Sequence, residues 1–328
     1  MTYDVVTVGS ATQDVFLIQK DVQIMSSKKF STGQAECFAL GAKVELDSVI
    51  FDTGGGATNA AVTLRRSGLK AAVVTRVGYD PAGHEVLRVL KHERIDCRYV
   101  HQDHEHGTAY SSIMLTPEGE RTVLVYRGAS SHFVWDDFPI HGLKAKWLYV
   151  TSLGGNRDFF QHLIDWAKFY KVRVMWNPGM KELEWGWEII ESFDTAVDIL
   201  LINREEAAIL TKKLLDNIQG IYHTLHRSHF GMILVTDGKR GALAWPEKGE
   251  RLSVEPIGSK PINTTGAGDA FGSAFLAGHL AFKGDLPMAL RLASYNSGLV
   301  VMEMGPKHGI MKKMPSTAVL KKINVMEE

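Results

Sequence analysis

Short β-branched and apolar runs recur along this chain with helix-like segments between them, and that alternation limits the possible fold more than any other feature. Val5-Val6-Thr7-Val8 ends at Gly9, and later runs occupy residues 71–77, 147–150, 172–176, 199–202 and 232–236. Strands that are apolar throughout are covered on both faces, and strand–helix–strand repetition produces a parallel sheet between two helix layers. Segments 57–66 and 81–92 read as helices, and the last ~70 residues carry two more, 269–282 and 287–302, with no strand between them. The rhythm breaks twice. Residues 15–51 and 99–127 hold short alternating pieces (15–18, 22–25, 38–46, 110–115 and 122–126) that read as antiparallel strands. Pro117-Glu118-Gly119-Glu120, between the last two pieces, is a hairpin turn signal. The simplest organisation is one α/β body made of residues 1–13, 52–98 and 128–328. Residues 14–51 and 99–127 then form a discontinuous β lid.

Composition narrows function mainly by exclusion. The 37 Lys+Arg balance 37 Asp+Glu, so a general nucleic-acid binder with a basic excess is not expected. No run nears the roughly 18 apolar residues of a membrane span, and Met1-Thr2-Tyr3-Asp4 has no signal-peptide layout. A cytoplasmic protein with neither membrane nor nucleic-acid partner is the expectation. Cys37 and Cys97 are too few for a disulfide framework or a cysteine-built zinc site.

Two glycine-rich turns carry the chemical signal. In Asn263-Thr264-Thr265-Gly266-Ala267-Gly268-Asp269, a small-residue turn opens a helix, so backbone N–H groups and the helix dipole converge on one point. Such a place suits the charge that develops on a transferring phosphoryl group, and a carboxylate there can take a proton from an attacking hydroxyl. Spacing alone is equally compatible with plain helix capping. A dinucleotide fingerprint, G-x-G-x-x-G, would need glycine at position 271, which is Phe271. Gly54-Gly55-Gly56-Ala57-Thr58-Asn59 also leads into a helix and allows close approach of a ligand, with Asn59 able to bond hydroxyls. No G-x-x-x-x-G-K-[ST] occurs, which excludes a P-loop nucleotidase.

These two turns, in this order, resemble the N- and C-terminal signatures of the ribokinase-like (PfkB) carbohydrate kinases. Asn203-Arg204-Glu205-Glu206 resembles the family's N-x-x-E motif, and Val235-Thr236-Asp237-Gly238-Lys239-Arg240-Gly241 its phosphate-lining G-x-x-G turn. The resemblance spans nearly the whole chain. It implies a three-layer αβα ribokinase-like body with a mainly parallel sheet, plus a small β-sheet lid through which two copies form a homodimer. It implies ATP and Mg²⁺ as cofactors and a small-molecule sugar or nucleoside as partner. Asp269 would be the catalytic base, and Gly266, Ala267 and Gly268 would form the turn whose N–H groups, with that of Asp269, bind the anion. Asp14, Gly55 and Asn59 would bind substrate. Asn203 and Glu206 would organise the metal through water, while Asn203, Thr236, Gly238 and Gly241 would serve ATP, with Asn296 toward the adenine. Asn263 stands where cation-activated relatives carry Asp, which leaves monovalent-cation activation open.

Other candidates keep two readings. Arg127, at the end of the second lid excursion, could meet a substrate or be a solvated arginine. Asn177-Pro178-Gly179 could be a ligand edge or a turn. His101, His104 and His106 read as a solvated loop, not as a metal site. The expected activity is phosphorylation of a hydroxymethyl group of a ribose-, fructose- or ketodeoxygluconate-like sugar. The alternatives are a nucleoside kinase of the same family and a catalytically silent interaction module.

Overall fold

The computed structural model describes residues 2–19, 23–30, 33–116, 121–258 and 261–328. The chain starts in β1 (Tyr3–Val8) and crosses into β2 (Thr12–Ile18). It then makes a hairpin of β3 (Gln23–Ser26) and β4 (Gln34–Cys37) and returns along β5 (Ser48–Gly54). Helix α1 (Gly56–Arg66) leads to β6 (Ala71–Gly78), and α2 (Pro81–His92) leads to β7 (Asp96–Asp103). The second excursion forms β8 (Ala109–Leu115) and β9 (Arg121–Tyr126). Next come β10 (Ala145–Val150), α3 (Arg157–Tyr170), β11 (Arg173–Trp176), and the short helices α4 (Met180–Leu183) and α5 (Trp187–Glu191). They are followed by β12 (Ile199–Asn203), α6 (Arg204–Thr211), α7 (Ile218–Leu225) and β13 (Met232–Thr236). The chain closes with β14 (Ala242–Pro246), β15 (Leu252–Val254), α8 (Ala267–Ala281), α9 (Leu286–Val300), α10 (Thr317–Leu320) and β16 (Val325–Glu327).

The large sheet has the order β16-β15-β14-β13-β12-β11-β10-β1-β6-β7. From β7 across to β13 every pairing is parallel, and only the β14–β16 edge is antiparallel. Side chains alternate between its faces. Val6 and Val8 of β1 join one core with α3 residues Phe160, Leu163 and Ile164. Val5 joins the other, with Leu64 of α1, Phe275 of α8 and Leu290 of α9. Phe160 and Trp176 are both fully buried and stack with ring centroids 4.3 Å apart. Burying a side chain such as Phe160 contributes about 1.5–3 kcal/mol. This is the expected α/β body with a mainly parallel sheet.

The lid sheet, β5-β2-β8-β9, brings the two excursions together. It is not wholly antiparallel: β2 and β8 pair in parallel, Thr12 with Ala109 through Ile18 with Leu115. The cause is geometric. Both excursions leave the same carboxyl edge of the parallel sheet, after β1 and after β7, so their outgoing strands point the same way. Residues 38–46 form no strand, and β3 with β4 makes a separate two-stranded sheet. The returning lid strand is β5, which the sequence reading did not single out. Strand β7 pairs with β6 as far as Asp103, so residues 99–103 lie in the large sheet and not in the lid. His101 therefore sits on a strand and not in a loop, while His106 follows the strand with Nδ1 3.0 Å from Asp103 Oδ2. The turn at 117–120 and the start of the piece at 22–25 lie outside the described residues.

Candidate active site

Gly55 holds φ at +96°, and a Cβ there would lie 2.4 Å from the Ser10 carbonyl oxygen. Only glycine lets the β5–α1 turn settle this closely on the β1–β2 crossover. Gly56 N–H then donates to Ser10 Oγ at 3.1 Å, and Thr58 Oγ1 donates to Gly54 O at 2.6 Å. The first turn of α1 is thereby fixed with Asn59 facing α8. Across 210 residues of chain, Asn59 Nδ2 donates to Asp269 Oδ2 at 2.9 Å.

Asp269 lies in the first turn of α8, whose N-cap is Gly266 in the left-handed region at φ +80°. A Cβ at 266 would lie 2.7 Å from Pro306 Cβ, so the loop after α9 is wedged against this cap. The Ala267 N–H bonds the Thr264 carbonyl at 3.3 Å, whereas the N–H groups of Gly268 and Asp269 have no acceptor among the described residues. Two orphan donors at a helix start therefore remain for an anion. Burial raises the Asp269 pKa. The Asn59 hydrogen bond and the charge of Lys307 pull it down, Asp14 pushes it up, and the balance lies above the ordinary carboxylate value.

Lys307, which carries no motif in the sequence, stands at the centre of the site. It is 5% exposed. Its Nζ donates to Asn59 Oδ1 at 2.7 Å and to the Thr53 carbonyl. Burial lowers its pKa to about 8, against the attraction of Asp52, Asp14 and Asp269. A lysine in a Gly-Pro turn one element after the glycine-capped helix was the available signal, and it is a weak one.

Asp14 is buried on β2, directly opposite Asp52 on β5. Thr12 Oγ1 donates to Asp14 Oδ1 at 2.9 Å, and burial lifts the Asp14 pKa despite Lys307 and the hydroxyls of Thr12 and Ser111. A Cβ at position 54 would meet Asp14 Oδ2 at 2.0 Å, so the first glycine of the run makes room for that carboxylate. Asp52 Oδ2 and Thr53 Oγ1 are buried with no partner among the described residues. Sequence reasoning missed both.

Two cavities meet beside Asp269. One, of about 590 Å³, is lined by Thr236, Gly238, Gly241, Ala267 and Gly268, with Val254, Ile257 and Phe271 giving it apolar walls. The other, of about 210 Å³, is lined by Asn177, Asn203, Glu206, Thr236, Gly266, Gly268 and Asp269. Thr236 and Gly268 line both. Asn203 and Glu206 form a reciprocal capping box on α6. Glu206 N–H donates to Asn203 Oδ1 at 2.8 Å, and Asn203 N–H donates to Glu206 Oε2 at 2.7 Å. Burial raises the Glu206 pKa. Its Oε1 bonds none of the described residues. Among those residues no group of three His, Cys, Asp or Glu side chains could hold a metal ion. What the site offers an ion is one carboxylate oxygen and room for water, which fits Mg²⁺, an ion that keeps several waters and binds through one or two carboxylates.

One expected position differs. Asn296 does not line the large cavity. It is fully buried, donates to the Ala270 carbonyl at 2.9 Å and accepts from Met311 N–H at 3.0 Å. Ser294, Ser297, Gly298 and Val301 line the cavity from this part of the chain. Positions 294, 297, 298 and 301 share one helical face, and 296 points away from it. Arg127 is exposed, and its side chain bonds none of the described residues. Asn263 is buried and uses Oδ1 to accept from Thr265 N–H at 3.0 Å.

A family model described as pfkB family carbohydrate kinase matches residues 5–313. A fructokinase of Salmonella typhimurium is 28% identical over 236 residues, covering 68% of this chain and 76% of that protein. Arabidopsis thaliana ribokinase, solved in complex with ribose and ATP, superposes with a TM-score of 0.76 at 20% identity over 98% of each chain. The nucleoside kinase of Methanocaldococcus jannaschii superposes with a TM-score of 0.75 at 20% identity over 97% of each.

Proposed function

The chain belongs to the pfkB family of carbohydrate kinases, and we propose that it transfers the γ-phosphoryl group of ATP to a hydroxymethyl group of a small sugar. The observation that carries this reading is the position of Asp269, at the head of a glycine-capped helix, where two cavities meet. ATP would occupy the large cavity, where Val254, Ile257 and Phe271 offer apolar walls to its adenine. Its phosphates point toward the free N–H groups of Gly268 and Asp269, which favour the charge spread over the transferring group. With Asn59 holding Oδ2, Asp269 Oδ1 takes the proton of the attacking hydroxyl. Asp14 Oδ2 and Asp52 Oδ2, on one face of the lid, offer hydrogen bonds to the remaining hydroxyls of the sugar. A transition state this loose asks more for positioning than for a strong base.

Glu206 would hold Mg²⁺ through water, with Asn203 orienting that carboxylate. When bound, the ion neutralises phosphate charge. The reaction belongs in the cytoplasm, where ATP is plentiful. No helix among the described residues is long and apolar enough to cross a membrane.

An ADP-release screen over ribose, fructose, ketodeoxygluconate and nucleosides tests the reading. Turnover on a sugar is expected, with a loss of about 10²–10⁴ in kcat for Asp269→Asn. Turnover on nucleosides alone moves the substrate to the other branch of the family. ATP binding without turnover on any acceptor means a silent module, and undiminished rate in Asp269→Asn removes that residue as the base.

A further inference from the structure

The buried lysine of the loop after α9 has no part in the reading above, yet more of the site's polar groups converge on it than on any motif residue. We propose that Lys307 is a positioning residue of the transfer site: its ammonium group fixes the amide of Asn59, which then orients Asp269 toward the acceptor hydroxyl. The proposal rests on the kinase reading for what the orientation accomplishes, though not for the geometry itself.

An ammonium only donates, while a side-chain amide has one accepting and one donating end. Nζ at 2.7 Å from Asn59 Oδ1 therefore dictates that Nδ2 faces Asp269, where it lies 2.9 Å from Oδ2. With the ammonium removed, the amide is free to turn and can present its oxygen to the carboxylate, which repels it. With the ammonium present, Asp269 is pinned by one oxygen and keeps the other free.

The lysine is itself pre-organised. Its second bond goes to the Thr53 carbonyl at the base of lid strand β5. Its own carbonyl accepts from Arg66 Nη1 at 3.4 Å, and the same guanidinium reaches the Ile310 carbonyl at 2.9 Å and pairs with Glu93 at 2.6 Å. Pro306 packs on the Gly266 cap. The charged groups acting on the ammonium are the carboxylates of Asp14, Asp52 and Asp269, which attract it, and Arg66, which repels it. Asp14 and Asp52 face one another across the β2–β5 ladder, an arrangement of like charges that is unfavourable without a cation beside it.

The test joins a spectroscopic arm to a kinetic one. Protein labelled with ¹⁵N at asparagine gives the Asn59 side-chain amide signal, assigned by its loss in Asn59→Ala. In folded Lys307→Met that signal shifts, and Lys307→Gln, whose amide can still donate to Oδ1, brings it back toward the wild-type position. In the kinetic arm Lys307→Met lowers kcat by about ten- to a hundredfold, the scale of a misplaced catalytic group, while ATP affinity holds, and Lys307→Gln recovers part of the loss. In an Asn59→Ala background the same change costs little more, because both act through one amide. An Asn59 signal indifferent to Lys307→Met, or losses that multiply in the double variant, overturns the proposal. Should Lys307→Met fail to fold, Lys307→Ala takes its place in both arms, with Lys307→Gln again as the rescue. A wild type that phosphorylates nothing sinks the kinase reading, and the amide signal still decides the geometry.

Discussion

At the scale of single residues, burial and charge set opposite demands on Lys307. Its pKa falls from an ordinary 10.5 to about 8 because the buried ammonium loses hydration that three carboxylates only partly replace. Above that value the ammonium deprotonates, and the donor that holds Asn59 weakens. The kcat profile of the wild type should therefore decline above about pH 8, and Lys307→Met should lack that limb. Stability moves the other way. Between about 8 and 10.5 the unfolded chain holds the lysine proton while the folded protein does not, so the contribution of Lys307 to unfolding free energy rises with pH, by at most about 3 kcal/mol across the window. Thermal unfolding of wild type and Lys307→Met over this range measures it. A wild-type stability that falls relative to that of Lys307→Met with rising pH, or an alkaline limb that survives in Lys307→Met, assigns the titration to another group.

At the scale of elements, helix α6 is stabilised by the same pair of side chains that faces the small cavity, so capping and metal binding have to be separated. Asn203→Ala removes the acceptor for Glu206 N–H and should cost about 1 kcal/mol of stability. Glu206→Gln keeps a side-chain oxygen for Asn203 N–H but deletes the charge. It should leave the unfolding temperature nearly unchanged while raising the Mg²⁺ concentration needed for half-maximal rate. An unchanged Mg²⁺ requirement limits Glu206 to its capping role. Elements were also what the sequence revealed best. Alternating β-branched and helical runs specify the parallel sheet because each strand is buried on both faces, and the glycine turns before α1 and α8 stand out because only glycine tolerates such close backbone approach. Pairing between distant strands left no comparable trace, so the parallel contact of β2 with β8 could not be read. Asn296 was misplaced because a role carried over from a resemblance says nothing of which helical face the residue occupies. Lys307 was invisible for a related reason: its partners Thr53 and Asn59 lie some 250 residues away, at separations of 254 and 248.

At the scale of the whole molecule, the lid has an anchor in the body and an exposed apolar face. Its anchor is visible where the chain leaves and re-enters the body. Arg76, at the end of β6, pairs with Asp103 at 2.8 Å and also with Asp137, while His106 on the outgoing connection stacks on His132 of the returning one at 3.7 Å. Its face is a matter of surface chemistry. In the lid ladders Phe51 lies opposite Val15, Val15 opposite Ser112 and Ser112 opposite Leu124. Phe51 and Leu124, at the two ends of this row, are 65% and 59% exposed. Every residue of edge strand β9 is exposed as well. An apolar face ending in an open strand edge invites association unless something covers it. The homodimer implied by the family resemblance would provide that cover, with the lid of a second copy as the occupant. Light scattering at micromolar concentration should then give twice the chain mass of 36.4 kDa, and the unfolding temperature should rise with protein concentration. Phe51→Asp and Leu124→Asp place a charge at either end of that row and should give monomers. Because Asp52 and Thr53 follow Phe51 on the same strand, loosening this face should also raise the KM for the acceptor more than that for ATP. A wild type that scatters as a single 36.4 kDa chain would leave the lid face without a second copy, and an equal rise in both KM values would show that this face does not act through the acceptor side.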